Sequence, residues 1–166
     1  AEDGSPLKSI DILSTSSKIT PFLWFNNDAE EAINFYCSLF EDSAMLGANR
    51  QSNGSFFTGT FKLAGQTFMA LNGGPMFKFN ESVSLFVNCK DQEEVDRLWN
   101  AFLDNGGTAS QCGWLKDKFG LSWQIIPERL GQLLGSEDRA ASGRAMQAML
   151  KMKKIVVAEL EAAYNG

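Results

Sequence analysis

Apolar positions in this chain switch between a two-residue and a three-to-four-residue period, and the switches mark out the elements. Ile19–Phe25 (ITPFLWF) is an aromatic and β-branched run with strand character, and its Pro21 is tolerable near a strand start or at an edge. Asn26–Asp28 supplies turn chemistry, and Asp28 followed by Glu31 has the spacing of a capping box. Ala29, Ala32, Ile33, Tyr36 and Phe40 then recur at helical intervals, which predicts an amphipathic helix over 29–40. Three strands are expected next, at 43–51, 55–64 and 66–72, broken by Asn53–Gly54 and Gly65. Asn72–Gly73–Gly74–Pro75 ends the run.

The same order then returns. Ser82–Cys89 (SVSLFVNC) reads as a strand. Asp91 caps a predicted helix from Gln92 to Asn105, with Val95, Leu98, Trp99 and Phe102 on one face and Gly106–Gly107 closing it. Strands follow near 108–116 and 121–126, so one strand of this half is short or hidden near 107–112. The central stretch is Gly113–Pro127 (GWLKDKFGLSWQIIP): a strand, a tight turn at Asp117–Gly120, and a second strand. Asp opens such a turn through its side-chain oxygen and Gly closes it with free backbone geometry.

Beyond Pro127 the period is helical. Ser136 and Asp138 open a segment carrying Ala141, Ala145, Met149 and Met152 in register, and Ile155–Tyr164 forms a second short amphipathic helix. Methionine at this spacing is core or interface packing. The expected organisation is a polar extension over 1–18, with Ile10–Leu13 a candidate edge strand, then two βαβββ-type modules over 19–75 and 79–127. A helical tail over 128–166 belongs to the same domain.

Composition narrows the function classes. A chain of 166 residues can bury one real core, and thirteen Phe with four Trp suit either a large core or an aromatic-lined cavity. A net charge of −5 with no basic run argues against a nucleic-acid partner. No apolar run approaches the roughly 20 residues of a membrane span, and the first residues lack signal-peptide character. Cys37, Cys89 and Cys112 are widely spaced and odd in number, which favours reduced, mostly buried thiols and a cytoplasmic location. There is no histidine, so the commonest general base and the commonest zinc ligand are both missing.

Several separated stretches occur together and in order: ITPFLWF with AEEAINFY, GQTFMALNGGP, ESVSLFVNCKDQEEVDRLW, GWLKDKFGLSWQIIP, and the tail MLKMKKIVVAELEAA. By these the chain resembles the PhnB-like family, often labelled 3-demethylubiquinone 3-methyltransferase-like. That family sits in the vicinal oxygen chelate superfamily with glyoxalase I, extradiol dioxygenases and bleomycin-resistance proteins. The resemblance implies an α+β protein whose two modules form a curved mixed sheet around a cavity, with C-terminal helices. It also implies four inward-facing strand positions that relatives use for a divalent metal, commonly as His and Glu. Here those positions fall at Thr20, Ala70, Ser82 and Gln124, none of which offers an anionic or imidazole donor. No metal and no cofactor is therefore expected. The Gly-rich element at 72–74 precedes Pro75 and a further strand, so it is read as a structural turn and not as a methyl-donor cradle.

Period-two alternation from those four positions brings Phe22, Trp24, Phe68, Asn72, Ser84, Phe86, Ser122 and Ile126 to the same face. The opposite set (Leu23, Phe25, Met69, Leu71, Val83, Leu85, Val87, Trp123 and Ile125) is almost wholly apolar, as a face under helices should be. The first set mixes aromatics with small polar groups, the lining of a ligand cavity, with Trp114 either lining or plugging it. Trp24 and Gln124 are expected to line one pocket. Asp117 and Cys112 are weaker candidates, read as a turn residue and a buried thiol. The leading expectation is metal-free binding of a small, partly apolar molecule. The alternatives are an enzyme of lyase, dioxygenase or transferase type, working through Gln124, Asn72 or a cavity water or through a metal site completed by substrate, and a dimeric interaction module. Pairing of modules across subunits in the superfamily, with the Met- and Ala-rich tail, implies a homodimer.

Overall fold

Two mixed four-stranded sheets, each with its own long helix, and a helical tail make up the part of the chain that the computed structural model describes, residues 17–166. The α+β chain divides into two units, the first ending at Lys78 and the second running Phe79–Gly166. The candidate edge strand at Ile10–Leu13 lies outside the described residues.

The first unit contains β1 (Phe22–Phe25), α1 (Ala29–Leu39), β2 (Ala44–Arg50), β3 (Phe56–Leu63) and β4 (Gln66–Asn72), in sheet order β1-β4-β3-β2. β1 runs parallel to β4 and the other pairs are antiparallel. The strand expected over 19–25 is shorter, although the Pro21 carbonyl still accepts the Met69 N–H at 2.9 Å. Proline is tolerated because β1 is an edge strand. Ala64 (φ 47°) and Gly65 (φ 83°) form the two-residue connection from β3 to β4, a turn that needs left-handed backbone at both positions.

Two expectations for this unit are corrected. Asp28 makes no side-chain cap on α1. Instead Asn72, at the end of β4, accepts the Ala29 N–H at 2.9 Å and donates to the Phe56 carbonyl at 3.2 Å. One orphan donor of the helix start is thus satisfied from another element. The second correction is parity. In the observed register Leu23 lies beside Ala70 and Phe25 beside Asn72, while Phe22 and Trp24 lie beside Met69 and Leu71. Laterally paired residues share a face, so Phe68, Ala70 and Asn72 are on the α1 side and not with Phe22 and Trp24. Ala70 is fully buried there, and Phe68 stacks on Phe61 with ring centroids 5.4 Å apart. The sequence TFMALN has no polar–apolar alternation to fix its parity, so a one-residue slip is easy to make.

The second unit contains β5 (Ser84–Cys89), α2 (Gln92–Asp104), β6 (Thr108–Ala109), β7 (Trp114–Lys116) and β8 (Ser122–Pro127). Its sheet order, β5-β8-β7-β6, repeats that of the first unit. The hidden strand is the two-residue β6. The run expected over 108–116 is in fact a hairpin, broken where Cys112 (φ 58°) and Gly113 (φ 84°) turn the chain. Ser82, expected in a strand, sits in an exposed turn before β5, its N–H given to the Asn80 side chain at 2.9 Å. Such local side-chain bonding competes with ladder formation.

Trp123 packs under α2, 4.8 Å between its ring centroid and that of Phe102, beside fully buried Val95 and Leu98. Asp117, only 5% exposed, ties the β7–β8 turn. Its Oδ1 accepts the Phe119 and Leu121 N–H groups at 2.9 and 3.0 Å, and its Oδ2 accepts Trp123 Nε1–H at 2.9 Å. Asp91 caps α2 as expected, accepting the Glu94 N–H at 2.9 Å.

The tail forms α3 (Glu128–Leu134), α4 (Arg139–Met149) and α5 (Val157–Asn165) around Ile126, Leu130, Leu133, Ala145, Met152, Ile155 and Leu160. Asp138 caps α4 through the Ala141 N–H at 3.1 Å. Gln92 of α2 pins the approach to α5, accepting the Val157 N–H at 2.7 Å and donating to the Ile155 carbonyl at 2.9 Å. Among the described residues no helix is long and apolar enough to cross a membrane.

Two predictions follow from these contacts. Asn72→Ala should cost about 1–2 kcal/mol in denaturant unfolding, whereas Asp28→Ala should stay within about 0.5 kcal/mol of the parent. Equal losses would return the cap to Asp28. Trp123→Ala should cost about 3–5 kcal/mol through cavity formation. Asp117→Asn, which keeps the Oδ1 acceptor but leaves the indole N–H unpaired, should cost about 1–3 kcal/mol. An Asp117→Asn protein as stable as the parent would remove the carboxylate from this structural role.

Candidate functional site

The helices of the second unit leave one face of its sheet uncovered by α2, and the strand register sorts the side chains on that face into two rows. Phe86, Gln124 and Trp114 lie side by side across β5, β8 and β7. Ser84, Ser122, Lys116 and Thr108 form the next row across β5, β8, β7 and β6. Alternation in SWQIIP fixes this parity, since Trp123 and Ile125 are buried under α2 and Ser122 and Gln124 must point the other way. Ile126, on the same face, is instead covered by the tail cluster.

Toward the β6 edge these rows open into a pocket of about 180 Å³. Glu81, Thr108, Ser110, Trp114, Lys116 and Ser122 supply its polar and aromatic lining. Ser122 is 1% exposed, and its Oγ has no hydrogen-bond partner in the protein. A buried hydroxyl without a partner carries a desolvation cost of about 1–3 kcal/mol. Its neighbour Gln124 is tied down, with Nε2 donating to Ser84 Oγ at 2.9 Å. Lys116 forms an ion pair with Glu81. The hydrogen bond from the Lys116 ammonium holds the Glu81 carboxyl below its ordinary pKa.

Sequence reasoning thus brought Ser84, Phe86, Trp114, Ser122 and Gln124 to one face of one sheet. It missed Glu81, Thr108, Ser110 and Lys116. Lys116 was readable as the second neighbour of Trp114, but Glu81 sits in a turn with no periodicity to reveal its direction. Ser82 is separated from this face because it precedes β5.

In the first unit Thr20 is half-buried just ahead of β1, and Phe22 is 47% exposed on the sheet face away from α1. Trp24 shares that face, but its ring is engaged locally. It meets Phe77 edge-on at 5.0 Å and donates Nε1–H to the Gly74 carbonyl at 3.0 Å. A Cβ on Gly73 would stand 2.3 Å from the indole, so the Gly-rich segment is there to admit Trp24. Phe68, Ala70 and Asn72 lie on the other face, as described above. Trp24 and Gln124 belong to different units.

The four positions implied for a divalent metal do not fit one. Ala70 has no donor atom and is buried under α1, Ser82 is in an exposed turn, and Gln124 is bonded to Ser84. Among the described residues no group of three or more Cys, Asp or Glu side chains could hold an ion, and the chain has no His. Two of the three thiols, Cys37 and Cys89, are also unsuited to nucleophilic work. Burial pushes Cys89 up to about 12, helped by Glu94, and raises Cys37 as well. Cys112 is half-buried, its N–H given to the Met152 carbonyl at 2.8 Å.

Comparison with known proteins places this geometry. The profile of the family described as 3-demethylubiquinone-9 3-methyltransferase matches residues 17–126. Among solved structures, a putative 3-demethylubiquinone-9 3-methyltransferase, PhnB protein, from Bacillus cereus is 35% identical. The match covers 67% of this chain and 99% of that one with a TM-score of 0.63. A Pseudomonas aeruginosa protein shares the fold at 23% identity and a TM-score of 0.54, covering 68% of this chain and 98% of that one. A fosfomycin resistance protein from Listeria monocytogenes, solved with Mn(II) and sulfate, shares it at 15% identity and a TM-score of 0.51, covering 66% and 90%. A search of curated proteins gives no match. With its family profile and a 35% identical structure agreeing, the chain belongs to the 3-demethylubiquinone-9 3-methyltransferase family.

Proposed function

We propose that the second unit binds a small, partly apolar organic molecule without the help of a metal, in the pocket beside Ser122. The observation that carries this reading is the orphaned Ser122 hydroxyl, buried at the floor of a pocket walled by Trp114. A protein does not keep a buried polar group unpaired without cost, and a ligand atom that accepts its hydrogen bond repays that cost. The volume, about 180 Å³, suits a single ring with one polar substituent.

Binding is preferred to turnover because the polar groups of this face are hydroxyls, one amide and one ion pair, with no imidazole available. Methyl transfer, named in the family description and in that of the Bacillus cereus relative, finds no support at the Gly-rich segment. That segment packs against Trp24 and leads into irregular chain before β5 instead of opening a helix. We also propose that the chain works as a homodimer. Phe22 and Phe86, 47% and 59% exposed on their sheets, are side chains that a second copy would cover. Light scattering at micromolar concentration should give twice the chain mass, and a strict monomer would overturn it.

The test of the binding reading is Ser122→Ala. Removal of the unpaired hydroxyl should raise the stability of the free protein by about 1 kcal/mol, read as a higher denaturation midpoint. The same change should weaken a bound small aromatic probe with a polar substituent by about fivefold, followed by chemical-shift titration. Trp114→Ala should weaken it further. A variant that gains no stability and binds the probe as the parent does would remove Ser122 from the site.

A further inference from the structure

One of the residues lining the pocket is a carboxylate of the chain itself, paired with Lys116. Lys116 stands on β7, fixed by two strand neighbours, directly beside Ser122 on β8. Trp114, two residues back, presents its side chain on the same face. Glu81 reaches the Lys116 ammonium from a turn within a stretch, 73–83, that has no helix or strand to hold it. The two partners are unlike in rigidity, one in a sheet and the other on a connection. They are also solvated, with side chains 43% and 63% exposed, and ion pairs of that kind are weak and readily exchanged.

We propose that Glu81 is a built-in competitor, its carboxylate standing where the carboxylate of an aromatic or alicyclic acid would bind. This deepens the proposed function, resting on the same pocket, by naming the ligand class. On binding, the acid displaces Glu81 from Lys116 and takes the ammonium as its partner. One of its oxygens accepts a hydrogen bond from the Ser122 hydroxyl, the bond that Ser122 otherwise lacks. Its ring lies against Trp114. A cationic ligand would have to pair with Glu81 and would leave Lys116 and Ser122, the rigid members of the site, without a role. The recognition is local, since the chain as a whole carries a net charge of −5 and offers no general attraction to anions.

Three probes of one shape separate the possibilities: benzoate, benzyl alcohol and benzylammonium, each titrated against the whole chain while the Trp114 indole resonance is followed. Glu81→Gln should tighten benzoate about two- to fivefold, the exchange value of a solvated ion pair, and weaken benzylammonium. Lys116→Met should weaken benzoate about tenfold. Benzyl alcohol, which carries no charge, should respond to either change less than benzoate does, and amide spectra of the free variants that match the parent's away from residues 81 and 116 show that the fold is intact. Benzoate binding no tighter to Glu81→Gln than to the parent would overturn the competitor role while leaving the pocket in place. If none of the three probes moves the Trp114 resonance, the pocket reading fails and this inference falls with it.

Discussion

The buried carboxylate of Asp117 is the constraint on which the second unit turns. One oxygen collects two backbone N–H groups of the turn and the other holds the Trp123 indole. That arrangement does two things together. It closes the β7–β8 hairpin at a fixed length, and it locks the largest side chain of β8 against Phe102 of α2. With a side-chain period of two, a strand whose Trp is held to the helix has no freedom left for its neighbours. Ser122 and Gln124 face away from α2 because Trp123 faces toward it. The pocket is in that sense a consequence of the turn.

The first unit repeats the topology but solves the same problems with other atoms. Its Asn72 bridges a strand end to a helix start, where Asp91 performs the capping alone in the second unit. Its Trp24 is held by Gly73 and Gly74, on the face away from its helix, whereas Trp123 is held by Asp117 on the face toward its helix. Repetition of sheet order with different fastenings means that a residue's role in one unit cannot be transferred to the equivalent strand of the other. Gly73 and Asn72, read in the linear chain as a structural turn, are both consumed in packing and hydrogen bonding within the unit.

The candidate site combines rigid and adaptable parts. Trp114, Lys116 and Ser122 project from paired strands, so their separation is set by ladder geometry. Glu81 comes from a turn and Gln124 is already bonded to Ser84. The face carries hydroxyls, one amide, one ion pair and one aromatic wall.

What the sequence alone determined is local or compositional. The order of elements followed from periodicity, the caps at Asp91 and Asp138 from short-range side-chain chemistry, and the Asp117–Gly120 turn from the positions of Asp and Gly. The parity of β8 followed from the family resemblance, which turned Gln124 inward, and the lack of any imidazole ligand from the composition. Tertiary structure decided whatever depends on residues far apart in the chain. The parity of β4 was open because TFMALN is apolar on both faces, and only pairing with β1 placed Phe68, Ala70 and Asn72 under α1. The cap of α1 came from Asn72, 43 positions away, in preference to the adjacent Asp28. Glu81 and Lys116 meet across a turn and a hairpin, and nothing near either residue announces the other. Hydrogen bonding within a turn is written into a few consecutive letters, whereas lateral pairing of strands is chosen by the energy of the whole sheet. That is why the elements could be read from the sequence while the exact lining of the pocket could not.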